Sequence, residues 1–260
     1  EGAKVYIGKH SPKNIKKNLS LVIYNQAILE NNPELVASKK LGIPCRSYPE
    51  IIGELTRKYK TIAIAGSHGK STTTAMVALI LMEAGLDPTV IIGTKLKELD
   101  NKNYRKGEKG WLVLEADEWK AAFLNYRPHI ATITNIDKEH LDFYKNFANV
   151  KKAFNDFKNC SSMIAERPKD FKITSKIKKV LKIPGQHNLL NALNAYAVAK
   201  EIGISDSVVL KALSKYDGAW RRMEYKGQFG DSMIFDDYAH HPSEIKATLF
   251  AFKERWPERP

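Results

Sequence analysis

Residues 62–85 read IAIAGSHGKSTTTAMVALILMEAG, and the fold turns on how this stretch is parsed. Ile62, Ala63, Ile64 and Ala65 form a short apolar run, the pattern of a strand buried on both faces. Gly66 and Gly69 follow, where the backbone can take angles and close approaches denied to other residues. From about Thr72 apolar residues recur at helical spacing through Ala75, Met76, Leu79 and Ile80, and Gly85 is a natural stop. Strand, glycine-bearing loop, Gly-Lys-Ser and helix is the layout of a phosphate-binding loop. Backbone N–H groups and the helix N-terminus face an anion, Lys70 adds a point charge, and Ser71 can reach a magnesium ion. The common pattern has a glycine five residues before Gly69. Ile64 stands there, so this is the shorter Gly-x-x-Gly-Lys-Ser form. Taken alone, the stretch also fits a plain strand–turn–helix that happens to carry Gly-Lys-Ser.

The 260 residues are enough to bury a sizeable core, in one large domain or two smaller ones. No apolar stretch reaches the roughly 18–20 residues of a membrane helix, and EGAKVYIGKH is not the start of a signal peptide. Cys45 and Cys160 are far apart and form no Cys-x-x-Cys unit, so a reduced, cytoplasmic setting is expected. The net charge is +13, but the lysines are spread along the chain. The one dense run, KITSKIKKVLK at 172–182, carries no interleaved aromatics for base stacking, which argues for a solvated surface and against nucleic acid. A basic cleft would also suit small anionic substrates.

Three zones follow along the chain. Residues 1–58 alternate apolar runs (KVYIG, LSLVIY) with helix-like stretches (PELVASKK, YPEIIGELTRKY). Residues 59–220 hold the phosphate loop, strand candidates PTVIIG, WLVLEA, HIATITNI and SSMIAE, and helices near 146–159, 186–202 and 206–215. Residues 221–260 start again with SMIFDDYAHHP and a helix from about Ser243. The fold class is α/β: a central domain on a P-loop-type parallel sheet, flanked by partial Rossmann-like domains.

Polar residues gather where such a sheet presents ligands, outside the carboxyl ends of its strands. WLVLEADE ends in Glu115, Asp117 and Glu118, and a carboxylate there can hold the magnesium of a bound nucleotide. HIATITNIDKEHLDFY ends in Asn135, Asp137, Glu139, His140 and Asp142. Each could be an ordinary solvated strand end; three in one chain, with the phosphate loop, weigh against coincidence. Asn188 and Asn191 share a face at a helix start, where amides cap the helix or read a base edge. Arg221 and Arg222 suit a phosphoryl oxygen or a surface ion pair. Asp236, Asp237, His240 and His241 lie on a loop before a helix. Adjacent histidines point in different directions and no third ligand is evident there, so a zinc site is not expected.

Taken together, GSHGKSTTT, EADE, TNIDKEHLDFY, GQHNLLNAL, WRRME and DDYAHHPSEIKATL resemble the motifs of the Mur ligase family, in order and with roughly its spacing. They look most like the branch that joins L-alanine to UDP-N-acetylmuramate. The resemblance covers nearly the whole chain. It implies an ATP-dependent ligase of peptidoglycan precursor synthesis, which makes an amide through an acyl phosphate. Residues 1–58 would be part of the UDP-sugar-binding domain, 59–220 the ATP-binding domain and 221–260 the start of the third domain. Gly66, Ser67, His68, Gly69, Lys70, Ser71 and Thr72 would wrap the triphosphate, with Lys70 on its β/γ oxygens. Ser71 and Glu115 would hold one Mg2+ and His140 a second. Lys70, Glu115 and His140 would thus serve catalysis. Asn188 and Asn191 would contact adenine, Arg222 the γ-phosphate, Asp237 the ribose, and His240 the incoming alanine.

The resemblance also has departures. Position 139 is Glu where the family usually has Asp, and the 160–183 segment is short for the family. The family's UDP-binding glycine loop and the later part of its third domain are not in this sequence, so a fragment lacking both ends is expected. Some sister ligases carry a carbamylated lysine on the helix after the His motif; Asn155 stands near that place, so no carbamate is expected. Other readings remain open: a peptide-recycling sister ligase, a P-loop kinase or ATPase, and a non-catalytic nucleotide-binding module.

Overall fold

The computed structural model describes residues 2–259 and divides into two compact units, Glu1–Leu55 and Thr56–Pro260. In the first, β1 (Val22–Tyr24) and β2 (Cys45–Ser47) pair in parallel, with Val22 opposite Cys45. Between them runs α1 (Pro33–Lys40). Its start is written locally: the Asn32 side chain accepts the Glu34 N–H, Pro33 opens the helix, and Lys39 and Lys40 close it. Leu35, Ile43 and Ile52 are buried. The expected strand at KVYIG does not form, and Val5 and Ile7 are 76% and 98% exposed. Alternating apolar residues make a strand only with a neighbour to complete the ladder, and no described strand pairs with this run.

Helix α2 (Tyr48–Lys58) leads into the second unit. There β3 (Lys60–Ala65), α3 (Lys70–Glu83), β4 (Thr89–Leu96), β5 (Lys102–Arg105), β6 (Trp111–Glu115) and β7 (Ile130–Ile133) come first. Then follow α4 (Leu141–Tyr144), α5 (Phe147–Asn159), β8 (Met163–Ile164), α6 (Phe171–Val180), α7 (Gln186–Glu201) and α8 (Asp206–Lys215). The sheet has six strands in the order β5-β4-β6-β3-β7-β8, all parallel except the edge strand β5. Ile62, Ala63, Ile64 and Ala65 of β3 are fully buried at its centre, as the apolar run required. Because β6 and β7 flank β3 in parallel, the loops that leave all three strands emerge on one edge.

Helix α3 is buried almost all round, from Ser71 to Leu81, and packs against α7 and α8. Helices α5, α7 and α8 fall where the sequence placed them. Strand β5 and helix α6 do not stand out in the sequence. Strand β5 is a short polar edge, while α6 hides in the lysine-rich run, with Ile173 and Ile177 buried one turn apart and Asp170 capping its start. The chain ends in an antiparallel hairpin, β9 (Glu224–Phe229) with β10 (Ser232–Asp236), and α9 (Pro242–Arg255). Phe235, Phe252 and Trp256 cluster between them. Among the described residues no helix is long and apolar enough to cross a membrane.

Candidate active site

The loop between β3 and α3 can exist only with glycine at two positions. Gly66 has φ +139°, and a Cβ there would lie 2.0 Å from Thr134 Oγ1. Gly69 has φ +80°, and a Cβ would lie 2.3 Å from Asn191 Oδ1. The loop is thus wedged between the extension of β7 and the face of α7. Thr134 and Asn135 fasten it further. The Asn135 side chain accepts the His68 N–H at 2.9 Å and donates to the His68 carbonyl at 2.9 Å, while Ser67 Oγ accepts the Asp137 N–H at 2.8 Å. Helix α3 starts at Gly69 with no side-chain cap and no acid in its first turn, so its free N–H groups are open to an anion.

Lys70 Nζ donates to the carbonyls of Gly66 (2.7 Å) and Ser67 (3.0 Å) and lies 2.8 Å from Glu118 Oε2. Burial alone would lower the ammonium's pKa, but Glu118, with Glu115 and Asp117 behind it, outweighs burial and raises it. Ser71 Oγ donates to Glu115 Oε1 at 3.0 Å, and Glu115 Oε2 accepts the Gly93 N–H at 2.7 Å. Burial pushes the Glu115 carboxyl above the usual range, against Gly93, Lys70 and Ser71. His140 Nε2 lies 3.5 Å from Glu118 Oε1, and that carboxylate raises the imidazole. Ser71 and Glu115 therefore meet directly, whereas His140 joins them through Glu118 and Lys70. The Tyr144 hydroxyl fixes Glu118 from behind, donating to its carbonyl at 2.5 Å.

Beside the loop opens a cavity of about 280 Å³. His68, Gly69 and Thr72 form one side, Asn188 and Asn191 of α7 another, and Arg222 and Asp237 a third. Asn188 Nδ2 donates to the Pro184 carbonyl at 2.7 Å and the residue lines the cavity; the expected amide cap does not form, because α7 starts at Gly185 with no side-chain cap. Asp237 accepts from the Met223 N–H (2.7 Å) and the Ala239 N–H (2.8 Å), which shapes its loop. Arg222 lies 5.5 Å from the centre of the Tyr238 ring. His240 is turned outward, 69% exposed, with Nδ1 3.0 Å from the Tyr238 carbonyl, and does not line the cavity.

Glu118 is the residue that sequence reasoning passed over: it counted among the strand-end carboxylates but not in the site. Its signal was the apolar run before EADE together with a lysine in need of a partner. Oxygen donors set around a buried carboxylate, as at Ser71 and Glu115, suit a hard divalent cation such as magnesium.

The comparisons agree with this architecture. A family model described as "Mur ligase middle domain" matches residues 64–165, and one described as "Mur ligase family, catalytic domain" matches residues 1–60. The UDP-N-acetylmuramate–L-alanine ligase of Aquifex aeolicus is 38% identical over 304 residues, covering 100% of this chain and 66% of its own length. That span exceeds the 260 residues here, so this relative carries internal residues that the present chain does not. The ligase of the same name from Endomicrobium trichonymphae is 38% identical, covering 99% of this chain and 67% of its own. Among solved structures, UDP-N-acetylmuramate–alanine ligase MurC from Thermotoga maritima superposes with a TM-score of 0.81 at 30% identity, covering 96% of this chain and 67% of its own. The chain spans about two thirds of the length of the curated relatives it matches.

Proposed function

The chain belongs to the Mur ligase family, and from that premise we propose that it carries the ATP-dependent joining of L-alanine to UDP-N-acetylmuramate, a step of peptidoglycan precursor synthesis in the cytoplasm. The observation that carries this reading is the ring of side chains around Lys70. Glu115 and Glu118, at and just past the end of β6, surround the Lys70 ammonium, and the cavity beside the same loop is walled by Asn188, Asn191, Arg222 and Asp237. In this reading residues 1–58 take the UDP-sugar end, 59–220 take ATP, and 221–260 open the domain that meets the amino acid.

The chemistry needs charge neutralised. A carboxylate is a poor acyl donor, and to be activated it must attack the γ-phosphate and displace ADP, giving the acyl phosphate, so two anions meet. The backbone of residues 66–72 cradles the triphosphate, and Lys70 turns from the Gly66 and Ser67 carbonyls to the β/γ oxygens. Ser71 and Glu115 would hold magnesium, with His140 at a second position; bound there, the ion would neutralise phosphoryl oxygens. Asn188 Oδ1 is left to accept from the exocyclic amine of adenine, since one Nδ2 hydrogen goes to the Pro184 carbonyl and the other faces Met223 Sδ at 3.8 Å. Arg222 meets the γ-phosphate and Asp237 the ribose, whose hydroxyl can use the second lone pairs of that carboxylate. His240, which faces out of this cavity, would meet the alanine beyond it. The amine of alanine then attacks the acyl carbon of the acyl phosphate, and phosphate leaves.

The test is a substrate panel on the full reading frame that carries this segment, with UDP-N-acetylmuramate, ATP and magnesium, read by mass spectrometry. Alanine-dependent amide product and ADP are expected. Product with an L-alanyl peptide but not with alanine would move the chain to the recycling sister ligases. ADP release indifferent to any amino acid would move it to the ATPases, and nucleotide binding without turnover to the non-catalytic modules.

A further inference from the structure

His68 sits in the phosphate loop, Glu139 in the loop after β7, and His241 at the start of α9. Their ligand atoms nonetheless lie within 4.8 Å of one another. The sequence offered His241 no third ligand because both partners come from far along the chain. The geometry points to a further metal site here, formed by His68, Glu139 and His241, for a zinc-class divalent ion and not for magnesium.

The donor set decides the class of ion. Two imidazoles and a carboxylate suit zinc and its borderline neighbours, whereas magnesium asks for an octahedron of oxygens. The surroundings hold His68 as a ligand should be held. Its Nε2 lies 3.2 Å from Asp137 Oδ2, the carboxylate–histidine contact that orients a ligating ring and fixes its tautomer. With Nε2–H donated to Asp137, Nδ1 faces the other side of the ring. There it lies 3.6 Å from Glu139 Oε1 and 3.2 Å from Glu244 Oε1; in the ion-free chain Nδ1 donates its proton to Glu244, and a bound metal ion would take that proton's place. The two rings lie 5.1 Å apart, and the His68 and Glu139 side chains are only 17% and 15% exposed. Three carboxylates, Asp137, Glu139 and Glu244, face two imidazoles, so the cluster carries excess negative charge for a cation.

Donors around a tetrahedral zinc lie about 3.4 Å apart at ordinary bond lengths, so this group closes on the ion by small side-chain movements. His241 Nδ1 accepts the Ser243 N–H at 3.3 Å, a long bond readily exchanged for a metal ligand. The ion would tie the phosphate loop to α9. His68, Ser243 and Glu244 line the cavity, so occupancy stiffens one of its walls. The site is separate from Ser71, Glu115 and His140, and its existence does not depend on which reaction the chain performs.

The metal-free chain should be titrated with zinc chloride in excess magnesium, with folding checked by circular dichroism. One equivalent of zinc should bind and raise the melting temperature. Glu139→Gln leaves the start of α9 intact, and it and His241→Ala should each weaken zinc by more than about tenfold, the loss typical of even an outer partner. His140→Ala should keep the affinity. Cobalt(II) should give the visible bands of a tetrahedral site in the parent chain and lose them in Glu139→Gln. Zinc displaced by magnesium, unchanged affinity in Glu139→Gln, or loss in His140→Ala alone would overturn the assignment, the last by moving the ion to Asp117, Glu118 and His140.

Discussion

Lys70 shows what a single residue hides from its sequence context. Gly-Lys-Ser marks it as a ligand-facing cation, yet its side chain is only 15% exposed and that of Glu118 is 1% exposed. Removing one partner of a buried pair strands the other. Lys70→Ala should therefore abolish ATP binding and also destabilise the fold by about 3 kcal/mol. Lys70→Ala with Glu118→Gln should recover much of the stability and none of the binding, as read by thermal melts beside ATP titration; a single variant as stable as the parent would refute the buried pair. His187 gives a second test at this scale. Burial holds its ring below the ordinary imidazole pKa, partly opposed by Asp237. Between the unfolded value, near 6.5, and that lower folded value, the unfolded chain binds more protons. Stability from this group is thus full above pH 6.5 and falls as the pH drops through that window, by at most about 1.4 kcal/mol per pH unit. His68 is shifted the other way, so the difference between parent and His187→Gln isolates the effect. Denaturant melts from pH 7.5 to 5 should fall more steeply in the parent.

At the level of elements, legibility follows periodicity and local capping. Helix α5 was readable because Val150, Ala153, Phe154 and Phe157 recur on one face and Asn146 caps its start. That face meets Phe123, with Phe157 stacked at 4.8 Å and Phe154 edge-on at 5.2 Å. Strands β5 and β9 were not readable, since a polar edge strand is defined by the partner it pairs with and not by its own pattern. The run at 4–8 is the converse, an apolar alternation without a pairing partner. Within the site, the glycines and the lysine were legible from local spacing. Their clamps, Thr134, Asn135 and Glu118, act across long separations and leave no mark in any window of sequence. Helix α5 also carries a prediction. Lys151 lies over the Phe147 ring, Lys152 pairs with Asp156 at 2.6 Å, and both are exposed, as is Asn155. No lysine of this helix should become a carbamate. Peptides from α5 should show no bicarbonate-dependent mass gain, and magnesium affinity should not respond to bicarbonate. A bicarbonate-dependent gain in both would instead align the helix with the sister ligases.

At the scale of the whole molecule, every nucleotide-facing residue proposed here, from Gly66 to Asp237, belongs to the unit Thr56–Pro260. The boundary falls inside α2, and the end of that helix is bound to the second unit. Thr56 Oγ1 accepts the Arg127 N–H at 3.0 Å, and the Thr56 carbonyl accepts from Thr61 Oγ1 at 3.2 Å. A cut at Leu55 would therefore split a helix and strip the turn that holds Thr56 in place. A cut before Tyr48 keeps α2 whole and preserves both contacts. The segment 48–260 has its own buried sheet and helices, so it should fold cooperatively by itself. It should bind ATP within about a factor of two of the full chain, because no residue of the proposed ATP site has been removed. Calorimetric titration of the two chains side by side checks this. Folded 48–260 with ATP affinity tenfold or more below the parent would mean that residues before Tyr48 contribute to the nucleotide site, and the division of labour between the units would have to be redrawn.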